Sequence, residues 1–275
     1  MPALDLLDQW DAPHAAAAVI GGGGRGVLAV HGDRRRPSRW ASVTKMATAV
    51  AVLVAVEEGT VSLDDPAGPP GSTVRHLLAH ASGLDFARGR VLAAPGWRRI
   101  YSNAGFEALA GALAGAVGMP FETYLHEVVL APLGMAATRL EGTAAAGLVG
   151  PLDDLVRFAE ELLAPTLLAR ETFAAATTVA FPGLAGELPG FGRYDPLDWG
   201  LGFEVRDGKE RHWMGRRCSA ATFGHFGGSG SFLWVDPAAD VALAVLSGRE
   251  FGAWALKAWP PLSDRVLVEF GANRK

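Results

Sequence analysis

The sequence predicts an α+β fold, in which one antiparallel sheet is assembled from both ends of the chain and a mostly helical segment is inserted between them. Three observations support this prediction. Strand patterns occur between residues 15 and 31, helical patterns fill the middle, and strand patterns return from residue 200 before a final helix. With 275 residues, the chain can bury a large core. We expect one lobe from residues 1–65 plus 197–275, and an inserted helical lobe from residues 66–196.

Composition and charge exclude several classes of protein. Hydrophobic residues make up 49% of the chain and charged residues 20%, which is typical of a globular protein. The net charge of −4 leaves no basic field for nucleic acid, and the run Arg34-Arg35-Arg36 is interpreted as a solvated turn. Cys218 is the single cysteine, so an internal disulfide is impossible.

The N-terminus and the longest apolar run bear on location. Asp5, Asp8 and Asp11 stand where a secretory signal would carry basic residues, so we predict no signal peptide and a cytoplasmic location. The apolar run Met46–Val56 is shorter than the roughly 18 residues that a membrane span needs. We therefore expect no membrane span.

The first two strands are predicted at residues 15–20 and 27–31, on either side of a glycine-rich run from Gly21 to Gly26. This run satisfies G-x-G-x-x-G, which marks a dinucleotide site when a helix follows and an acid stands about 20 residues later. Here a strand pattern follows, and residues 43–49 contain no Asp or Glu. The run is therefore predicted to be a hairpin turn.

The next element is a helix that opens with Ser42-Val43-Thr44-Lys45 and is buried on all sides. A serine and a lysine three residues apart lie on one face of a helix, so the amine can reach the hydroxyl. A lysine activates a serine as a base when burial or positive neighbours lower its pKa. The motif alone is weak, but Lys45 is the only charged residue between Arg39 and Glu57. A buried lysine without a task is rare, because desolvating its charge is costly.

Helical patterns fill the middle of the chain. Apolar residues at helical spacing, broken by Gly or Pro, predict helices at residues 74–80, 105–117, 121–130, 152–163 and 171–178. In the first of these helices, His76 and His80 have the i, i+4 spacing of a metal-binding pair. The acid of H-E-x-x-H is absent and no third ligand offers itself, so we predict a structural role, no metal and no other cofactor.

Strand patterns return after a Gly/Pro-rich link. Four strands are predicted at residues 200–205, 221–226, 231–235 and 241–246. A last amphipathic helix is predicted from residue 253 to residue 270, with an interruption near Pro260-Pro261.

Two polar constellations accompany the Ser42–Lys45 pair. Tyr101-Ser102-Asn103 lies just before a predicted helix, where a tyrosine can shuttle protons and an asparagine can hydrogen-bond the lysine or a substrate. In isolation, this trio would be interpreted as a helix cap. The stretch from His225 to Gly230 lies between two strand patterns, and its glycines indicate the close approach of another backbone or of a ligand.

Three stretches of the chain resemble, in order, the three motifs of the serine β-lactamase-related hydrolases: Ser42-Val-Thr-Lys45, Tyr101-Ser-Asn103 and His225-Phe-Gly227. This family includes class C β-lactamases, D-Ala-D-Ala carboxypeptidases, D-aminopeptidases and β-lactamase-like esterases. The sequence between the motifs is also similar, including residues 76–84, 132–135 and 147–155. The resemblance implies a β-lactamase/penicillin-binding-protein-like fold, with the active site between the two lobes.

The resemblance also implies the catalytic residues. Ser42 would be the acylated nucleophile, and Lys45 and Tyr101 would be the proton-transfer pair. Which of these two residues is the general base stays open.

Further residues are implied to bind the substrate. Asn103 would position Lys45 and the substrate. His225 would occupy the place where many members have a lysine, on the strand that lines the cleft, and Gly227 on the same stretch would also contact the substrate. The backbone N–H groups of Ser42 and Gly228 would form the oxyanion hole. The competing α/β-hydrolase fold is disfavoured, because no G-x-S-x-G occurs in the chain.

One departure from the family bears on the substrate. His225-Phe-Gly227 is not the Lys-Thr-Gly of typical class C β-lactamases, so a permanent positive charge that would hold a β-lactam carboxylate is missing. We therefore expect a serine hydrolase that cleaves a small ester or amide through an acyl-enzyme, mainly as an esterase. Alternatives are a D-amino-acid peptidase or carboxypeptidase, a weak β-lactamase, or a non-catalytic binding or assembly protein. The expected partner is a small-molecule ester, amide or peptide, and the oligomeric state is not predicted.

Overall fold

The computed structural model describes residues 1–271. Within this part of the chain, the strands are β1 (Ala15–Gly21), β2 (Gly26–His31), β3 (Ser38–Arg39), β4 (Arg99–Ile100), β5 (Arg139–Leu140), β6 (Leu148–Gly150), β7 (Gly186–Leu188), β8 (Gly192–Tyr194), β9 (Glu204–Val205), β10 (Phe223–Phe226), β11 (Phe232–Asp236) and β12 (Val241–Ser247). The α-helices are α1 (Thr44–Glu57), α2 (Val74–Leu78), α3 (Asn103–Val117), α4 (Phe121–Leu125), α5 (Leu152–Leu163), α6 (Arg170–Ala176) and α7 (Ala253–Phe270).

A six-stranded sheet in the order β2-β1-β12-β11-β10-β9 forms the centre of the molecule. Each pair of neighbours is antiparallel, and Ala15 of β1 lies opposite Ser247 of β12. The prediction of one antiparallel sheet made from both ends of the chain is therefore confirmed. The predicted hairpin is also present, because Gly21 pairs with Gly26 across a turn in which Gly23 and Gly24 have positive φ.

The two faces of the sheet bury two apolar clusters, as the period of a strand requires. Ala16, Ala18 and Ile20 of β1 face the cluster that contains α1, α3 and α5. Ala17 and Val19 face the cluster that contains α7. Helix α5 belongs to the predicted inserted segment and packs against β1 and β12. The predicted division at residues 65 and 197 stays a prediction.

Helix α1 confirms the prediction of an all-round buried helix, since eleven of its fourteen residues are buried. Helix α5 has the predicted bounds. The predicted helix at residues 121–130 is α4 followed by a π-helical turn, His126–Leu130. The 3-10 helix Ala3–Gln9 and the two small sheets, β3-β6-β5 and β4-β7-β8, have no counterpart in the predictions.

Two predicted features are wrong. The strand expected at residues 200–205 is limited to β9, because the Gly200 N–H donates to the Phe203 carbonyl at 2.8 Å and Gly202 adopts a φ of 91° against Ala49. Helix α7 continues without interruption through Pro260 and Pro261. A proline has no backbone N–H, so the carbonyls one turn before Pro260 and Pro261 accept no helical hydrogen bond. These carbonyls belong to exposed residues, and water can hydrate them.

Among residues 1–271, no single helix is long and apolar enough to cross a membrane. One pair of helical segments in this part of the chain, α3 and Phe121–Leu130, reaches the required length and apolar composition together, but the two are bent by 85°.

Candidate active site

Ser42 and Lys45 lie together at the start of α1. Ser42 belongs to a 3-10 turn, Ala41–Val43, which we call the serine turn. Ala41 has a φ of 46°, a conformation that costs a non-glycine residue about 1–2 kcal/mol. Surrounding contacts must therefore hold the turn in place. Ser42 is partly exposed at the positive end of the helix dipole, whereas Lys45 is fully buried.

Three oxygen atoms surround the Lys45 amine. Its Nζ lies 2.6 Å from Asn103 Oδ1, 2.9 Å from the Ala145 carbonyl oxygen and 3.2 Å from Ser42 Oγ. Burial lowers the pKa of Lys45 well below its usual value, and the Glu107 carboxylate partly opposes this shift. A neutral amine has two N–H donors and one lone pair. In its neutral form the amine would donate to the first two oxygens, which can only accept, and would direct its lone pair at the Ser42 hydroxyl.

Tyr101 lies in the short link between β4 and α3. Ser102 caps α3, since its Oγ accepts the Gly105 N–H at 2.8 Å. This cap was the alternative interpretation of the trio, and here it coexists with the polar contacts of its neighbours. Burial raises the pKa of the Tyr101 phenol well above its usual value, against the opposing effect of a hydrogen bond with Ser42. The phenol therefore keeps its proton at neutral pH.

His225 completes the group of side chains. Its Nδ1 lies 2.7 Å from the Phe226 carbonyl oxygen, which can only accept, so Nδ1 carries the proton. Nε2 is therefore bare and lies 3.5 Å from the Tyr101 hydroxyl. Burial is the main cause that lowers the pKa of His225 to about 3. The imidazole is thus neutral, whereas a lysine at the same position, as in many serine β-lactamase-related hydrolases, would be charged.

The glycine-rich stretch after β10 packs directly on the serine turn. Ser231 Oγ donates to the Trp40 carbonyl at 2.7 Å, and the Gly227 N–H donates to the Ser231 carbonyl at 2.8 Å. A Cβ at Gly227 would lie 2.6 Å from Ser231 Oγ and 3.0 Å from Ala41 Cβ, and it would overlap the Trp40 carbonyl. Close approach of two backbones, which the glycines predicted, is therefore present here.

The backbone N–H groups of Ser42 and Gly228 have no acceptor within residues 1–271. The strand neighbour β9 pairs only with Phe223 and Gly224, so the edge of β10 is open from His225 onward. Unpaired donors beside an open edge can bind an oxygen atom that gains negative charge.

Some residues of the site have no motif in the sequence. The Ala145 carbonyl contacts Lys45 through its backbone, which no side-chain pattern can reveal. Trp199 packs edge-on against His225, with ring centroids 5.4 Å apart. His80, which the sequence assigned to a structural role, packs 4.6 Å from the Tyr101 ring, and its Nδ1 accepts the Ser102 N–H at 3.1 Å. These contacts fix the position of Tyr101.

The other sequence candidates lie apart from this chemistry. His76 Nδ1 lies 2.9 Å from Thr73 Oγ1, and its ring stacks on Phe181. No group of three His, Cys, Asp or Glu residues in the described part of the chain is placed to hold a metal ion. Cys218 is buried, and burial raises the pKa of its thiol to about 12, so it is a poor nucleophile.

A cavity of about 980 Å³ opens beside Tyr101. Its lining includes Phe86, Leu92 and Trp97 from the loop between α2 and β4, together with several residues between 183 and 195. The Phe86 ring stacks on the Tyr101 ring with centroids 6.0 Å apart. Tyr101 is therefore the residue that this cavity shares with the side-chain group around Ser42.

Comparisons with known proteins agree with this geometry. The beta-lactamase family model matches residues 5–265. A crystal structure of a beta-lactamase from Mycobacterium bovis is 55% identical, with a TM-score of 0.96 over 98% of this chain and 100% of that chain. The D-alanyl-D-alanine-carboxypeptidase/endopeptidase AmpH of Escherichia coli K12 is 30% identical over 191 residues, 50% of this chain and 49% of AmpH, so the match spans about half of that relative. EstCE1, a hydrolase with promiscuous acyltransferase activity, shares 18% identity and a TM-score of 0.78 over 96% of both chains, a likeness of fold alone.

Proposed function

Because the chain belongs to the beta-lactamase family, we propose that it is a serine hydrolase that cleaves a small ester or amide through an acyl-enzyme on Ser42, with esters as its main substrates. One observation carries this proposal. The buried Lys45 amine has two partners that can only accept hydrogen bonds, which leaves its lone pair for the Ser42 hydroxyl. A base held in this way activates a serine nucleophile.

The acylation step follows from these contacts. Lys45 Nζ takes the Ser42 proton while Oγ forms a bond to the substrate carbonyl carbon. The N–H groups of Ser42 and Gly228 bind the oxyanion. When the bond to the leaving group breaks, Tyr101 gives its proton to the leaving atom and regains one from the Lys45 ammonium. Water then attacks the acyl carbon and gives a proton to the same amine. The bond between Oγ and the acyl carbon breaks, and Lys45 returns that proton to Oγ, which releases the acid and restores both Ser42 and the neutral amine.

For the general base, a choice that the sequence left open, we propose Lys45. A tyrosine acts as a base from its phenolate, but the raised pKa of Tyr101 keeps the phenol protonated. The lowered pKa of Lys45 favours the neutral amine instead. Tyr101 is therefore assigned to proton donation.

Charge favours neutral esters over substrates that carry a carboxylate. His225 is neutral, so this position supplies no charge to hold the carboxylate of a β-lactam or a peptide C-terminus. The second candidate function, a D-amino-acid carboxypeptidase or a weak β-lactamase, is favoured by the likeness to AmpH and to the M. bovis protein. The third, a binding or assembly role without catalysis, would leave the Lys45 contacts without a task.

The experiment that tests the proposal is the intact mass of the protein after brief incubation with a fluorophosphonate, a short acyl ester or a penicillin. We expect a fluorophosphonate adduct and a transient acyl adduct on the wild type, and neither on Ser42→Ala. A penicillin adduct that hydrolyses within the assay would favour the β-lactamase alternative. The absence of every adduct would contradict the proposal and favour the binding role.

The acid limb of the pH profile is expected to report on Lys45. Activity requires the neutral amine, so kcat/KM should fall as the pH drops below the pKa of Lys45. Glu107 raises the pKa of Lys45, and its Oε1 accepts the Ala145 N–H at 2.9 Å. Glu107→Gln keeps this acceptor and removes the charge, so we expect the limb to move to lower pH by roughly half a unit.

His225→Gln is the matched variant for this experiment. The imidazole is already neutral, so its replacement should leave the acid limb in place although the rate falls. The measurement is kcat/KM for a short ester between about pH 4 and pH 9. If the acid limb moved in His225→Gln and not in Glu107→Gln, it would report the titration of His225, and the assignment to Lys45 would be wrong.

A further inference from the structure

An exposed apolar surface lies on the loop between α2 and β4. Nine large hydrophobic side chains are exposed among residues 1–271, and four of them belong to this loop. They are Phe86, Val91, Leu92 and Trp97, with 54%, 57%, 50% and 69% of their surface exposed. Three of them, Phe86, Leu92 and Trp97, line the cavity beside Tyr101, and apolar side chains gathered in this way mark a binding surface.

The loop is held in one conformation by its own polar contacts. Asp85 forms an ion pair with Arg90 at 2.8 Å and accepts the Arg88 N–H at 2.8 Å. The Phe86 carbonyl accepts the Asn103 N–H at 2.7 Å, which ties the loop to the start of α3. Because Asn103 also binds Lys45, the apolar surface is fixed relative to the reacting groups.

The exposed charges around the cavity balance. Its exposed charged lining residues are Arg98, Arg193, Glu187 and Asp195, two of each sign. The guanidinium of Arg99 is buried and donates to backbone carbonyls, among them that of Leu197 at 2.6 Å. The exposed part of the lining therefore offers apolar contacts with balanced charges, which suits a neutral apolar group.

We propose that this cavity binds the leaving group of the substrate, and that the preferred substrates are esters of bulky, neutral, apolar alcohols. The inference rests on the proposed function. The group that protonates the leaving oxygen must touch it, and that group is Tyr101, which lines the cavity and stacks on Phe86. The acyl part must then extend away from Tyr101, past the open edge of β10. Selectivity is therefore expected in the alcohol and not in the acid.

Two ester series test the assignment. In the first series the acyl group is always acetyl and the alcohol changes from methanol to 2-naphthylmethanol, two unactivated alcohols of similar acidity. In the second series the alcohol is always methanol and the acid changes from acetic to 2-naphthylacetic acid. We expect kcat/KM to rise at least about tenfold along the first series and by less than about threefold along the second.

Variants locate the effect in the cavity. Trp97→Ala is expected to lower the ratio of kcat/KM for naphthylmethyl acetate to that for methyl acetate by about tenfold. Val268→Ala, which truncates an exposed apolar residue of α7, should keep the wild-type ratio. Both acetates form the same acetyl-enzyme, so the rate at which that adduct hydrolyses should not depend on the alcohol.

The outcomes separate the two proposals. A preference that follows the acyl series, or a ratio that Trp97→Ala leaves unchanged, would overturn the leaving-group assignment while acetylation of Ser42 still stands. If neither acetate gave an acetyl adduct on Ser42, the proposed function would fall, and this inference with it.

Discussion

Ser42→Ala is expected to lower kcat/KM for a short ester by about 10⁴-fold or more, and Lys45→Met by nearly as much. The two residues act as one unit, because the hydroxyl is a nucleophile only when the amine takes its proton. The double variant Ser42→Ala/Lys45→Met should therefore be no slower than Ser42→Ala alone. The measurement is a double-mutant cycle on kcat/KM at a pH above the acid limb.

The choice of methionine keeps this cycle interpretable. Lys45 is fully buried, and a methionine side chain of similar length fills the same space without a charge. A cooperative thermal transition in each variant is the folding control. Losses that add in the double variant, or a Lys45→Met enzyme that keeps more than about a tenth of the activity, would show that Lys45 is not the base.

Gly227→Ala is expected to lower both stability and activity. The new methyl group would lie 2.6 Å from Ser231 Oγ and 3.0 Å from Ala41 Cβ, and it would overlap the Trp40 carbonyl. Either β10 or the serine turn must move, at an expected cost of about 2–4 kcal/mol in the free energy of unfolding. Movement of the turn displaces Ser42 from Lys45, so turnover should fall by about 100-fold.

Gly228→Ala is the matched control, because a Cβ at Gly228 meets no atom within 4 Å. Urea denaturation of both variants measures the difference in stability. We expect Gly228→Ala to unfold within about 0.5 kcal/mol of the wild type. Equal destabilisation by the two changes would mean that the contact between β10 and the serine turn does not hold the turn in place.

The sequence could predict the parts of the fold that depend on local pattern. Alternating and helical periods predicted the main sheet, helix α5 and the burial of α1, because these patterns decide which face of an element is buried. The sequence pattern gave a wrong prediction where tertiary contacts determine the conformation of the backbone. Residues 200–203 read as a strand, but Gly202 packs against Ala49 of α1 and turns the chain away.

The candidate site divides in the same way. Ser-x-x-Lys fixes one helix face, so the contact between Ser42 and Lys45 could be predicted from spacing alone. The third partner of the lysine is the Ala145 carbonyl, one hundred residues away, and a backbone oxygen carries no sequence signal. The tautomer of His225 depends on the direction of the Phe226 carbonyl, which is equally invisible before the fold is known.

The pairing of β1 with β12 also governs when this protein acquires chemical reactivity during its synthesis. Ser42 is made early, whereas Gly228 is made late, after the helical middle of the chain. Strand β12, which joins β1 to the strands on the Gly228 side, is made later still. A growing chain therefore carries its serine and lysine for most of translation without the opposing half of the site. Closure of so long a loop is slow, because its entropy must be lost before any contact forms. The fold thus delays activity until the sheet is complete.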